Sequence, residues 1–434
     1  MFNVIEFIEK KRDGGRHSKD EIQSLVNGVI SESIPDYQLS AWLMAAYLNG
    51  LDDDETMYFT DALARSGDVV HHNFGSKTVD KHSTGGVGDK VTIVLVPLVA
   101  ACGAKVAKLS GPGLGYTGGT VDKLASIPGM NTHLSDKDFV RQIDEISCAV
   151  SGHSLKLAPA EGRFYKLRDV TGTVPSIPLI TASIISKKLA GGASGFIFDV
   201  KCGSGAFMRD KAAATALATN LVNVSAKLGR KSIAVLSDME QPLGRWAGNA
   251  AEILEAVQVL SGGGPADTRK LCILLGGYML MLSGACGTAE DGCKLADAAL
   301  NDGSALKKFA DFVSAQRGDR NVAFEPERVL PKAAKVHYLT ADRSGCVAKL
   351  DALMIGEGLR ALGGGRLRQE DEIDPSVAVE MPVKIGDKVE KGGVVLAVHY
   401  NRGEQLNMAL PYLTGCFKIE DCAEKRELII GKIE

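Results

Sequence analysis

At 434 residues, 45% hydrophobic and 24% charged, the chain has the composition of a soluble globular protein long enough for two or three domains. A net charge of -3 leaves no basic stripe for nucleic acid and no polybasic patch for a membrane surface. The most apolar runs, 91–101 and 271–282, fall short of the ~18–20 residues that span a bilayer.

Nine cysteines, odd in number and with no C-x-x-C pair, read as reduced thiols. The opening Met-Phe-Asn-Val-Ile-Glu lacks the basic-then-apolar pattern of a signal peptide, so a cytoplasmic protein is expected. In chain order, residues 1–66 read as helices. Ser18 and Glu21 form a capping box before Ile22, Leu25, Val26 and Ile30, a second segment runs from Pro35 to Gly50, and a third ends at Gly67 in a left-handed cap. Residues 68–76 read as a connector. His71-His72 within it suggests metal, but no Cys or carboxylate pair stands near to complete a shell.

From Thr78 the pattern changes to strand, glycine-rich loop, helix. Thr78–Lys81 leads through Gly85–Gly88 to a helix over 91–101, and Ala104–Leu109 leads through Ser110–Thr120 to a helix over 121–127. A helix is expected over 139–150, a connector over 151–161 and helical spacing within 163–189. Phe196–Val200 is a short strand before Lys201-Cys202-Gly203-Ser204-Gly205, a third strand-then-glycine unit. Residues 211–228 read as an Ala-rich helix, 232–236 as a strand and 250–315 as helices with breaks at 262–265 and 301–304; beyond 335 the texture is strand and turn. Two loops rich in backbone N–H groups and hydroxyls, with Lys81 beside the first, make one shared oxyanion site the natural reading, since strand-to-helix loops point unpaired N–H groups at a ligand.

Val79-Asp80-Lys81-His82-Ser83-Thr84-Gly85-Gly86-Val87-Gly88-Asp89, the Ser110–Thr120 loop, Arg168-Asp169-Val170-Thr171 and Ser183–Lys188 resemble the thymidine and pyrimidine-nucleoside phosphorylases, in the same order over nearly the whole chain. The resemblance implies an α/β fold class: a small all-helical domain (1–66 and 162–190) for dimerisation and base binding, plus a larger α/β phosphate-binding domain with a central mixed sheet (70–160 and 195–434). Residues 335–434 form a strand-rich C-terminal part of the latter. The active site is then expected in the inter-domain cleft, with hinges at 67–70, 151–161 and 190–195.

The implied reaction is reversible phosphorolysis of pyrimidine (deoxy)nucleosides to free base and (deoxy)ribose 1-phosphate. It needs no cofactor and takes inorganic phosphate as co-substrate, in a cytoplasmic homodimer. By similarity Lys81, Ser83, Thr92, Ser110 and Thr120 hold phosphate, Leu114 and Ser183 bind substrate, and His82, Arg168 and Lys187 are catalytic, His82 through a near-neutral pKa. The 183/187 spacing puts both side chains on one helix face.

Three positions depart from the family pattern: Pro112 stands where Arg is expected, Tyr116 where His is expected, and Ala125 where Glu is expected. A fourth concerns potassium, which some members bind through Gly88, Leu243, Glu255 and the positions of Lys90 and Trp246. Here Lys90 is expected to substitute for the ion and pair with Glu255, so no metal is expected. An anthranilate-type phosphoribosyltransferase shares the architecture, but would need an acidic pair for a Mg²⁺-bound pyrophosphate, and none is clearly placed. A non-catalytic nucleoside-binding paralogue is the remaining alternative.

Overall fold

The computed structural model describes residues 2–70, 78–111, 113, 115–116, 118–152, 156–366 and 371–434. His71, His72, Pro112 and Leu114 lie outside the described residues. The chain opens with α1 (Val4–Arg12), α2 (Lys19–Ile30), α3 (Asp36–Asn49) and α4 (Asp53–Ala64). The Ser18/Glu21 capping box forms at α2, and Asp52 and Glu55 make a second at α4. Gly67 is not a left-handed cap, because α4 ends at Ala64 with Arg65 as its cap; a side chain at 67 would instead strike the Lys156 carbonyl and Pro159.

Next come β1 (Thr78–Ser83), α5 (Val91–Ala101), β2 (Lys105–Ser110), α6 (Thr120–Leu124), α7 (Asp136–Ile146) and β3 (Cys148–Gly152). After α8 (Pro159–Thr171) and α9 (Ile177–Ala190) the alternation resumes with β4 (Gly195–Cys202), α10 (Lys211–Lys227) and β5 (Lys231–Asp238). The helix expected over 139–150 is corrected: it stops at Ser147 in a left-handed conformation, and 148–152 is a fully buried edge strand. A short apolar run carries no period of its own, so pairing with β2 decided its form.

The remainder comprises β6 (Trp246–Ala247), α11 (Asn249–Leu260), α12 (Ala266–Ser283), α13 (Ala289–Asn301), α14 (Ser304–Ala315), α15 (Pro326–Val329), β7 (Lys335–Thr340), β8 (Gly345–Leu350), α16 (Ala352–Leu359), β9 (Ala378–Glu380), β10 (Lys388–Val389), β11 (Val394–Tyr400), α17 (Gly403–Gly415), β12 (Phe417–Glu420) and β13 (Ile429–Ile433). The strand-and-turn reading beyond 335 thus omitted two helices, α16 and α17.

The main sheet has the order β13-β5-β4-β1-β2-β3. β1 to β5 run parallel and β13 pairs antiparallel with β5, which makes the sheet mixed. β1 to β3 step outward on one side and β4 to β5 on the other, so the chain reverses direction at β1, where open α/β sheets leave a ligand crevice beyond the carboxyl ends of the strands. Alternate residues of β4 feed two cores. Ile197 joins α5 and α12, whereas Phe196, Phe198 and Val200 pack with α10.

A separate core joins α1–α4 to Ala160, Phe164, Leu179 and Ala182 of α8 and α9, around Trp42. Ile184 and Ile185 of α9 pack instead with α10 and β4, so one helix belongs to both bodies. The three connectors meet: Asp68 N–H donates to the Lys156 carbonyl at 2.9 Å and Val70 N–H to that of Ala190 at 2.8 Å. No described helix is long and apolar enough to cross a membrane.

Gln316, fully buried, stitches the edge of the sheet. Its carbonyl accepts from Val150 N–H (3.1 Å) and its amide donates to the Asn131 carbonyl (2.6 Å). Gln316→Leu leaves the buried Val150 N–H and the half-buried Asn131 carbonyl without a bond and is expected to cost about 2 kcal/mol in urea unfolding. A loss under about 0.5 kcal/mol would show that the edge holds without it.

Candidate active site

β1 carries charge on both faces. Because side chains alternate along a strand, Val79, Lys81 and Ser83 look one way and Asp80 and His82 the other. The Lys81 ammonium lies 3.3 Å from Asp199 and 3.6 Å from Asp89, yet makes no hydrogen bond although it is buried. Lys201 pairs with the same Asp199 at 2.8 Å. Burial works against ionisation of Asp89, but Lys81, Lys201 and Lys123 and a hydrogen bond from Ser83 outweigh it and hold its carboxyl far below the usual range. Ser83 Oγ also accepts from Gly85 N–H at 3.3 Å where the first loop begins, and Thr92 stands on the first turn of α5 beyond that loop. The β1–β4 register sets Ser83 beside Asp199, and that of β2–β3 sets Ser110 beside Gly152.

On the other face, Asp80 receives Lys188 at 2.5 Å and Lys108 at 3.6 Å. Lys188, on α9, also donates to the Leu109 carbonyl (3.2 Å), and Lys108 donates to that of Lys81 (2.7 Å). Lys188 is therefore structural: it is 3% exposed and ties the helical body to the sheet. Burial first, then the ammonium groups of Lys188, Lys108, Lys187 and Lys81, push the His82 pKa well below its ordinary value. The near-neutral pKa expected for His82 is thereby corrected; in this state the imidazole is a neutral hydrogen-bonding group. Lys108 is likewise lowered by burial, and by Lys188, despite Asp80.

The helical body contributes a third cluster. Ser183 and Lys187, one turn apart on α9, lie 3.2 Å from each other, and both meet the buried carboxylate of Glu161 on α8, Lys187 at 3.0 Å. The Lys187 ammonium stands 4.8 Å above the Tyr165 ring. Arg168 is almost fully buried and donates to the carbonyls of Thr173 (3.4 Å), Val174 (2.6 Å) and Leu179 (3.0 Å), so it pins the turn that starts α9. Burial lowers its pKa to about 10, which leaves it charged. Three of its five N–H groups are spent on carbonyls, leaving two for a ligand.

In the second loop, Asp122 accepts from Gly113 N–H (2.7 Å) and pairs with Arg366 of the C-terminal part (2.9 Å). Thr120 is the first residue of α6, and Ala125 follows its end. Tyr116 is half-buried, its ring 6.5 Å from that of Phe207, and burial raises its phenol pKa. Behind the first loop, Lys123 donates to the Asp89 carbonyl (2.8 Å) and pairs with Glu252 (2.7 Å). Asp80, Asp89, Lys108, Glu161, Lys188 and Asp199 were missed as site residues. A buried lysine or carboxylate is recognised only once its partner is known, and these partners lie far apart in sequence.

Among known families, residues 75–306 match the glycosyl transferase family a/b domain and residues 5–67 its helical bundle domain. Residues 346–420 match the pyrimidine nucleoside phosphorylase C-terminal domain. A solved anthranilate phosphoribosyltransferase from Thermus thermophilus superposes with a TM-score of 0.58 at 16% identity, over 72% of this chain and 99% of that one, a likeness of fold alone. The pyrimidine-nucleoside phosphorylases of Staphylococcus haemolyticus (strain JCSC1435) and Staphylococcus aureus (strain MSSA476) are each 47% identical over 400 residues, 92% of this chain and 92% of theirs. This chain belongs to the pyrimidine-nucleoside phosphorylase family.

Proposed function

We propose that the chain catalyses reversible phosphorolysis of pyrimidine (deoxy)nucleosides, giving free base and (deoxy)ribose 1-phosphate. The observation that carries this reading is the Lys81 ammonium, buried on β1 just before the first glycine-rich loop and donating no hydrogen bond. A buried ammonium that is charge-paired with Asp199 and Asp89 yet hydrogen-bonded to neither keeps its donors for a ligand, and phosphate is the fitting guest beside Ser83, Thr92, Ser110 and Thr120. Phosphate is the co-substrate, and no other cofactor enters the chemistry.

A phosphate oxygen bonds to C1′ of the sugar as the C1′–N bond breaks, and the electron pair leaves with the pyrimidine. Negative charge then spreads over the ring and its carbonyl oxygens. Lys187, Ser183 and the two remaining Arg168 N–H groups stabilise that charge, Leu114 lines the base, and neutral His82 donates to a carbonyl. Glu161 holds Ser183 and Lys187 together before the base arrives. The three connectors that meet at 68–70, 156–158 and 190 are hinges in this reading, whose closure brings α9 onto the loops and expels water.

Two further proposals complete it. Tyr37, Met44, Tyr47 and Leu48 expose an apolar stripe along α3, Tyr37 75% and Leu48 71% exposed, and this stripe is the seam of a homodimer. The nine free thiols suit a reducing cytoplasm.

Base release from uridine, thymidine and deoxyuridine, with and without inorganic phosphate in EDTA buffer, tests the reaction. Phosphate-dependent release is expected. Activity only with Mg²⁺ and a pyrophosphorylated ribose would favour the phosphoribosyltransferase, and binding without release the non-catalytic paralogue. His82 gives a second test. Below its ordinary pKa a histidine gains a proton, so with that pKa depressed the ring signal missing from His82→Gln spectra is expected to stay neutral from about pH 8 to about pH 6 without phosphate. A titration centred near about 6.5 would overturn the neutral assignment. For the dimer, Tyr37→Asp with Leu48→Asp is expected to give monomers in sedimentation velocity; an intact dimer would place the seam elsewhere.

A further inference from the structure

The positions that the family resemblance marks for potassium are occupied from within the chain. Lys90, fully buried at the start of α5, donates to the Leu243 carbonyl at 3.0 Å and the Trp246 carbonyl at 2.9 Å, and bonds to Glu255. Glu255 in turn accepts the backbone N–H of Arg245 (2.8 Å). Two glycines let the strands of this cage close. Gly88 has φ +71 and turns its hydrogen toward the Leu243 and Trp246 carbonyls, and Gly244, also φ +71, toward Glu255 and the Lys90 ammonium. A side chain at either would enter the cage.

The donor set, two carbonyls and a carboxylate converging on one point, suits a monovalent cation, but an ammonium already occupies that point and uses all three of its N–H groups. A potassium ion placed there would meet a like charge within bonding distance and find no free ligand, so the residues do not fit it. Burial alone would lower the Lys90 pKa. Glu255, with Glu252 and Asp267 behind it, more than reverses this, so the group stays charged.

We propose that Lys90 is a built-in cation: its ammonium does the structural work of a bound monovalent ion, locking the first phosphate loop to the 243–246 turn and to α11, so that the protein needs no potassium. The lock is local to the loop. Lys90 follows Asp89 directly, and Asp89 is held from behind by Lys123.

The test compares the wild-type chain, Lys90→Thr and Lys90→Met in sodium, potassium and tetramethylammonium chloride at equal ionic strength. Phosphate-dependent base release and the thermal midpoint are both read; the midpoint requires no activity, so a wrong substrate reading cannot hide the answer. Wild type is expected to vary by less than about twofold in rate and to keep one midpoint across the three salts. Lys90→Thr, which reopens the cage and adds a hydroxyl ligand, is expected to lose stability in tetramethylammonium, regain it in potassium, and gain at least about fivefold in rate from potassium. Lys90→Met fills the space without charge and is expected to respond to none of the salts. Potassium activation or stabilisation of the wild type would overturn the proposal, a result that needs no variant to fold. So would a Lys90→Thr protein equally stable in all three salts.

Discussion

The site depends on the cost of burying charge. β1 carries an aspartate and a lysine side by side, one on each face, and neither reaches water. Two oppositely facing ion clusters must therefore form before the sheet can close. On one face Asp199 and Asp89 compensate Lys81; on the other Lys108 and Lys188 compensate Asp80. Desolvation of a lone buried ion costs several kcal/mol, so removing any one member strands its partner. The strand order follows from the same need. β4 brings Asp199 beside β1 from one side and β2 brings Lys108 from the other, at the point where the chain reverses direction.

Much of this was legible in the sequence, because its signals were local. The strand–glycine–helix units read directly as an α/β sheet, and the i, i+4 spacing of Ser183 and Lys187 placed both on one face of α9. What failed was set by distance. His82 owes its lowered pKa to burial and to lysines on β1, β2 and α9, and no window of sequence around it carries that field. Lys188 gave no sign of its role because its partner, Asp80, lies 108 residues away. Residues 148–150 read as helix and 151–152 as connector because a fully buried strand has no polar alternation to reveal it.

The departures in the second loop bear on the same balance. Bracing that a longer charged network would supply there comes from Asp122, which gathers Gly113 N–H and Arg366 at a single carboxylate. Arg366 belongs to the C-terminal part, so this part, remote in sequence, helps fix the loop. Its strands and α16 act as a wall behind the site: the Tyr116 carbonyl packs so close to Gly356 that a side chain there would collide with it.

Helix α11 shows why one half of the site is rigid. Glu252 and Glu255, three residues apart on one face, hold Lys123 and Lys90, and these two ammonium groups grip the first loop, one at the Asp89 carbonyl and one at the residue that follows it. Every contact in this grip is charge-assisted, and both ammonium groups are buried. On the helical body, Ser183 and Lys187 answer to a single carboxylate, and Lys187 is partly exposed. The asymmetry matches the chemistry. In the proposed reaction phosphate is one small anion of fixed shape, for which a preformed cradle saves reorganisation, whereas the base must enter and leave, which suits the partly exposed Lys187 better than a fully buried grip would.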